Sequence, residues 1–218
     1  MNKNKEDIKR NIKITPKPDS ISWEEITEVI QLAFSEKKDR GLLYVATQQD
    51  AQKTQERVGN GICIVALLDD KVIGTVTLQI EQIDKRKRKW YHGNLSAYSS
   101  QLAVHPDYKG FGVGNMLSKE RFRIAEANNV DELLMHTSVH ATEMLTWWKR
   151  QGGQFVELLS SSSTNYYAIR CRIPVKAKRF SDFYVAIRYY WSYLYCVLTK
   201  TEGGKPRSWV TFLKKNKK

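Results

Sequence analysis

Long apolar runs are missing from this 218-residue chain, and no stretch reaches the roughly 20 residues that a membrane span requires. The opening MNKNKEDIKRNIKITP is charged and has no apolar centre of the secretory kind. Cysteine is scarce: Cys63, Cys171 and Cys196 form no CxxC pair and no Cys/His cluster. Neither a disulfide framework nor a zinc site is therefore expected, and no metal ligands are assigned. These absences together predict a cytoplasmic protein. Acidic residues are also in the minority, 23 Asp/Glu against 36 Lys/Arg, for a net charge of +13.

That charge is unevenly placed. Between Pro174 and Lys218 stand 11 Lys/Arg and 2 Asp/Glu, together with 10 of the 24 aromatic residues. A second focus is the run Lys85-Arg86-Lys87-Arg88-Lys89. Basic surface of this kind suits anionic partners, although a solvated loop is the simpler reading of the short run.

Walking the chain, residues 1–10 read as a flexible N-terminus. Asn11–Thr15 alternates as a short strand does. Ser22 is an N-cap followed by Glu24 and Glu25, and Trp23, Ile26, Val29, Ile30 and Ala33 then keep helical spacing. A polar helix is expected over Thr47–Arg57. Ile62–Leu68 and Lys71–Ile80 flank Asp69-Asp70, which is a hairpin pattern. Ser96–Val104 is a third strand, Val113–Ala127 a helix, Leu133–Val139 a strand and Thr142–Gln151 a helix ended by Gly152-Gly153. Phe155–Leu159 and Tyr166–Ile173 close the series as strands around a serine-rich loop. The order predicts an α/β (α+β) domain over 11–173 whose sheet mixes parallel and antiparallel pairs.

The stretch that carries chemistry is Gln101–Leu117, QLAVHPDYKGFGVGNML. A strand runs into His105-Pro106, and Lys109-Gly110-Phe111-Gly112-Val113-Gly114-Asn115 then opens a helix. Glycines allow a tight turn and close approach of backbone N–H groups. A helix N-terminus adds orphan donors and partial positive charge, so the turn is an anion site suited to a pyrophosphate. Lys109 is expected to add a full charge. A nucleotide P-loop would end in Gly-Lys-Ser/Thr, and Gly114-Asn115-Met116 stands here instead.

LAVHPDYKGFGVGNML resembles motif A of the GCN5-related N-acetyltransferase (GNAT) superfamily, with Lys109 at a position usually held by Gln or Arg. The resemblance implies a sheet split into a V between Ser96–Val104 and Leu133–Val139. It implies acetyl-CoA in that V, its pyrophosphate on the amides from Lys109 to Asn115 and its pantetheine arm along Leu102, Ala103 and Val104. An amine would attack the thioester directly, with backbone N–H near Leu102 or Ala103 facing the oxyanion.

The family's tyrosine, four residues before a glycine, is replaced by Trp148, whose indole N–H donates but has no useful acidity. Trp148 is expected to pack against the cofactor arm. Tyr98-Ser99-Ser100-Gln101 offers no carboxylate base. The acid/base candidates are His140, His136 and Tyr98, with Glu143 behind them; the imidazoles titrate near neutrality when unperturbed. His105 reads as structural and His92 is unassigned. The acceptor is expected against Phe34–Thr54 and Ser160–Asn165, where Tyr44, Gln48 and Gln49 stand.

Residues 174–218 fall outside the resemblance and form a basic, aromatic extension. Over Arg179–Leu198 apolar residues recur at i, i+3, i+4, i+7, the spacing of an amphipathic helix. Its readings are docking on the domain or on a second subunit, peripheral contact with the inner face of a membrane, and nucleic-acid binding, the last without any recognised motif. Two functions compete: acetyl transfer to an unidentified amine, and an acetyl-CoA-binding module with impaired catalysis whose extension binds a membrane or partner.

Overall fold

A computed structural model describes residues 2–82, 94–176, 180–201 and 205. The basic run at 85–89, His92 and the stretch from Pro206 onward lie outside them. The N-terminal segment, expected to be flexible, forms helix α1 (Asn2–Asn11). Strand β1 (Lys13–Pro16) follows, then helix α2 (Trp23–Asp39). A capping box starts α2: the Ser22 hydroxyl accepts from Glu25 N–H at 3.2 Å, and the Glu25 carboxylate accepts from Ser22 N–H at 3.1 Å.

The polar helix expected at Thr47–Arg57 divides into a 3-10 turn at Val45–Thr47 and helix α3 (Ala51–Val58), capped by Asp50. Strands β2 (Ile62–Leu68) and β3 (Lys71–Gln82) form the hairpin. Asp69 and Asp70 both have positive φ, as a two-residue hairpin turn of matching twist requires. Then come β4 (Leu95–Val104), α4 (Val113–Ala127), β5 (Glu132–Ser138), α5 (Thr142–Arg150), β6 (Gln154–Ser160), β7 (Tyr167–Pro174) and α6 (Asp182–Thr199).

The seven strands lie in the order β1-β2-β3-β4-β5-β7-β6, and only β4 and β5 run parallel. One sheet face packs under α2 around Ile26, Ile30 and Val65; the other packs under α4 around Leu117, Leu78 and Leu133. Each side chain so buried contributes about 1.5–3 kcal/mol. The buried face of α4 carries Leu117, Ile124 and Ala125 together with Ser118 and Arg121, and Ala127 is exposed. A fully buried ion pair, Arg172 with Glu132, ties β7 to β5, and Gln154 adds a 3.0 Å bond to Arg172.

Helix α6 lies against the edge strand β6. Ser192 accepts from Leu158 N–H at 2.9 Å, and the Cys196 thiol donates to Leu158 O at 3.1 Å. Two side chains one helical turn apart thus satisfy backbone groups that an open edge would offer to other chains. Phe183, Ile187, Tyr190, Trp191, Tyr195 and Leu198 of α6 are exposed, and Ile187, Trp191 and Tyr195 border a shallow depression with β6.

Candidate active site

The pairing of β4 with β5 covers only Ser96↔Glu132, Ala97↔Leu133 and Tyr98↔Leu134. Beyond it the strands part, and from Ser99 to Val104 the side of β4 that faced β5 has no strand partner. Its other side stays paired with β3, apart from a bulge. Gln101 is the bulged residue, at φ +53. A left-handed conformation costs a non-glycine residue about 1–2 kcal/mol. The side chain offsets that cost: Gln101 donates to Thr77 Oγ1 and accepts from Gln49 Nε2, each at 2.9 Å. Gln49 also donates to Thr54 Oγ1 at 2.7 Å and accepts from Arg57. Gln49 was expected to line the acceptor site; it supports the bulge from behind.

At the end of β4, His105 accepts from Asp107 N–H at 3.3 Å, which makes it a turn residue. Gly110 and Gly112 have φ of +80° and +83°, values that favour glycine. Gly112 caps α4, and the first intrahelical bond is Met116 N–H to Gly112 O at 3.0 Å. The amides of Val113, Gly114 and Asn115 therefore come before any intrahelical acceptor. Gly114 has an ordinary backbone, and a Cβ there would meet only Val104 Cγ2 at 3.8 Å. Phe111 packs against the core beside Tyr108.

Lys109 lies beside this turn but is engaged elsewhere, 3.2 Å from Glu36, and that contact holds the Glu36 carboxyl below its usual range. A second lysine stands beside the turn: Lys9 of α1, whose Nζ lies 3.9 Å from where a Gly112 Cβ would sit. Lys9 has no signal in the sequence as a ligand-facing residue, because residues 1–10 read as a flexible end and only α1 brings it to the turn. The Asn115 side chain accepts from Trp147 Nε1 at 2.8 Å, joining α4 to α5.

A cavity of about 530 Å³ fills the fork. Its roof is made by the 3-10 turn and the β6–β7 loop, cross-linked where Asn165 accepts from Leu43 N–H at 2.9 Å and donates to Gly41 O at 2.8 Å. Tyr44 and Tyr166 stack in the roof with ring centroids 4.8 Å apart. The structure brings Tyr98 and His136 together in this cavity, the hydroxyl 2.5 Å from Nδ1. His140 and Glu143 do not join them: His140 lines a separate depression with Lys37 and Arg40, and Glu143 is on the surface.

The electrostatics of the cavity are one-sided. Arg57, Arg121 and Arg170 line it, and among the described residues no Asp or Glu does. The His136 ring is open to the cavity yet walled by protein. Desolvation, then the charges of Arg170 and Arg57, lower its pKa to about 4. His136 is therefore neutral at pH 7, contrary to the near-neutral exchange expected of it. Burial and the neighbouring Tyr44 raise the Tyr166 pKa, so that hydroxyl stays protonated.

On the α4 side of the fork, Arg121 is 1% exposed and donates to Ser99 at 3.0 Å and to Gln151 at 3.2 Å. Desolvation brings its pKa down to about 10, which still leaves it charged at neutral pH. Arg121 Nε and Trp148 Nε1 are buried with no hydrogen-bond partner among the described residues. Both residues line the cavity, so both are suited to a ligand that brings acceptor atoms into the fork. Arg121 was legible in principle, since a lone charge interrupts the apolar spacing of Leu117 and Ile124. Among the described residues no cluster of three or more His, Cys, Asp or Glu is placed to hold a metal.

The forked sheet, the bulge and the glycine-capped helix define a class, and comparison with known proteins agrees. The model of the acetyltransferase (GNAT) family matches residues 23–153, more than half of the chain. The chain belongs to that family. Several solved structures share the fold. One is a GNAT acetyltransferase of Elizabethkingia anophelis with acetyl-CoA bound, 15% identical, at a TM-score of 0.51 over 75% of this chain and 98% of that one. Another is YncA of Salmonella typhimurium with its cofactor acetyl-CoA, 12% identical, at 0.58 over 79% and 98%. A third is the ribosomal-protein-S18-alanine N-acetyltransferase of Escherichia coli, 14% identical, at 0.53 over 78% and 97%. A comparison with curated sequences returns no match.

Proposed function

We propose that this chain moves the acetyl group of acetyl-CoA to an amine held in the fork cavity. The observation that carries the reading is continuity. One strand, β4, borders the cavity and leads directly into the glycine-capped helix N-terminus. Such a terminus binds pyrophosphate, and the open side of Leu102, Ala103 and Val104 presents backbone groups to an extended arm. The proposed domain is residues 11–173, with 174–218 as its extension, and a cytoplasmic location is proposed with it.

Acetyl-CoA supplies an activated thioester: the amine nitrogen forms the new C–N bond, the C–S bond breaks, and sulfur leaves as thiolate. The chain's own groups have three tasks. Val113, Gly114 and Asn115 amides, with Lys9 nearby, hold the phosphates. With His136 neutral, the Tyr98 hydroxyl and Nδ1 share one hydrogen bond, and the hydroxyl oxygen is open to a proton from the amine. The pair then passes the proton that the nitrogen loses on acylation to the departing thiolate, so the products are the acetylated amine and the CoA thiol. Arg121 places positive charge at the fork, where it favours the departing thiolate, and Trp148 adds a hydrogen bond without a transferable proton.

The exposed aromatic side of α6 supports a second role for the extension, peripheral contact with an anionic bilayer. Aromatic residues beside excess Lys/Arg suit such an interface. Among the described residues no helix is long and apolar enough to cross a membrane.

The deciding experiment is calorimetric titration with acetyl-CoA of the intact protein and of Gly114→Glu. Gly112 has positive φ, so any substitution there strains the backbone; Gly114 does not, and a carboxylate there acts on the cradle alone. Micromolar binding that weakens at least about tenfold in the variant supports the reading. No binding by the intact protein overturns it.

A further inference from the structure

We infer that the acceptor is a small amine that also carries an anionic group, recognised by Arg57 on the α3 side of the fork cavity. The inference rests on the transferase reading and adds the substrate class.

The α3 side of the cavity presents Arg57, Tyr98, Tyr166, His136 and Arg170, with Phe34 and Tyr44 as apolar walls. Arg170 is already matched by Glu157 at 2.6 Å. Arg57 is not: its recorded partner is the neutral side chain of Gln49, and no carboxylate of the described residues lies within ion-pair distance. It is half-buried at the end of α3, close enough to Tyr98, Tyr166 and His136 to perturb or be perturbed by each.

A guanidinium withdrawn from water without a counter-charge is costly, and the anion that compensates it can be a ligand. Its planar N–H fork matches a carboxylate or phosphate bidentately. A purely cationic amine meets the guanidiniums of Arg57 and Arg170 here and, among the described residues, no carboxylate lining the cavity, so the lining discriminates against it. An amine whose anionic group sits on Arg57 and whose apolar part lies along Tyr44 and Tyr166 would be held with its nitrogen near the Tyr98–His136 pair.

The test uses three probes of one shape: 3-phenylpropionate, 3-phenylpropanamide and 3-phenylpropylamine, with 2-phenylethylphosphonate as a fourth arm to separate phosphate-type from carboxylate-type anions. Each is titrated calorimetrically into the full-length protein, with and without saturating CoA. The expected result is that at least one anion binds about tenfold or more tighter than the amide, with the amine weakest. Arg57→Met should abolish that preference and Arg57→Lys should keep part of it, with acetyl-CoA affinity within about twofold in both. Equal or tighter binding of the amine, an anion preference that survives in Arg57→Met, or no binding of any probe overturns the inference. If acetyl-CoA itself fails to bind, the transferase reading falls, and the CoA-free titrations still decide the charge preference of the cavity.

Discussion

The Tyr98 hydroxyl on β4 lies 2.5 Å from His136 Nδ1 on β5, a contact made across the fork by strands that are no longer hydrogen-bonded to each other beyond Tyr98 and Leu134. The side chains bridge the place where the backbones part, and the amine is proposed to react there. Tyr98→Phe removes the hydroxyl and leaves the ring. It should lower kcat by about 10²-fold, within the usual range for a lost proton-transfer group, with acetyl-CoA affinity unchanged.

His136 also makes a prediction about stability. Its folded pKa of about 4 lies below the usual value near 6.5, so between those pH values the unfolded chain binds the extra proton. Stability from this residue is complete above about pH 6.5 and is lost as pH falls toward 4. Thermal melts at pH 7 and pH 5 should differ less in His136→Gln than in the parent. An equal difference would show that His136 is not held neutral.

Arg121 is a buried cation without a carboxylate partner among the described residues, so its removal should separate folding from function. Arg121→Met replaces it with an apolar chain of similar length and should leave stability unchanged or raise it by about 1 kcal/mol or more. The same variant should lose kcat. In the parent, affinity for CoA bearing a free thiol should increase as pH is raised through the thiol's titration, and in Arg121→Met that dependence should flatten. Calorimetry across pH 7–9 reads both.

The pair of Glu132 and Arg172 is fully buried between β5 and β7. Glu132→Ala leaves Arg172 charged in the core beside Gln154 and Phe180. It should destabilise the domain by about 3–5 kcal/mol in denaturant titration, far more than loss of an exposed pair such as Glu36 with Lys109.

On α6, the pair Phe183→Ser and Trp191→Ser removes exposed apolar surface while keeping Ser192 and Cys196, the side chains that bond Leu158. Sedimentation with vesicles containing phosphatidylglycerol should fall several-fold for the variant, and uncharged phosphatidylcholine vesicles should bind neither protein. Equal sedimentation of parent and variant would sink the membrane reading of the extension.

Much of this protein is legible along the chain because its signals are local. The capping box at Ser22, the Asp69-Asp70 hairpin and the glycine turn before α4 each depend on residues a few positions apart, and all three elements stand where their sequences place them. The family resemblance located the fork between β4 and β5 for the same reason, since it is carried by one contiguous motif. Tertiary structure decided the rest. Nothing near His136 in sequence announces the burial that lowers its pKa, or the Arg170 and Arg57 charges that lower it further. Lys109 has the right neighbours for the phosphate cradle, but only the fold pairs it with Glu36 on α2 and sets Lys9 of α1 beside Gly112. His140 and His136 are alike on paper, and only the turn after β5 puts one in the cavity and the other outside it. Helical and strand periodicity are set by steric and hydrogen-bonding rules within a few residues; charge environment and burial are set by groups brought together from distant parts of the chain.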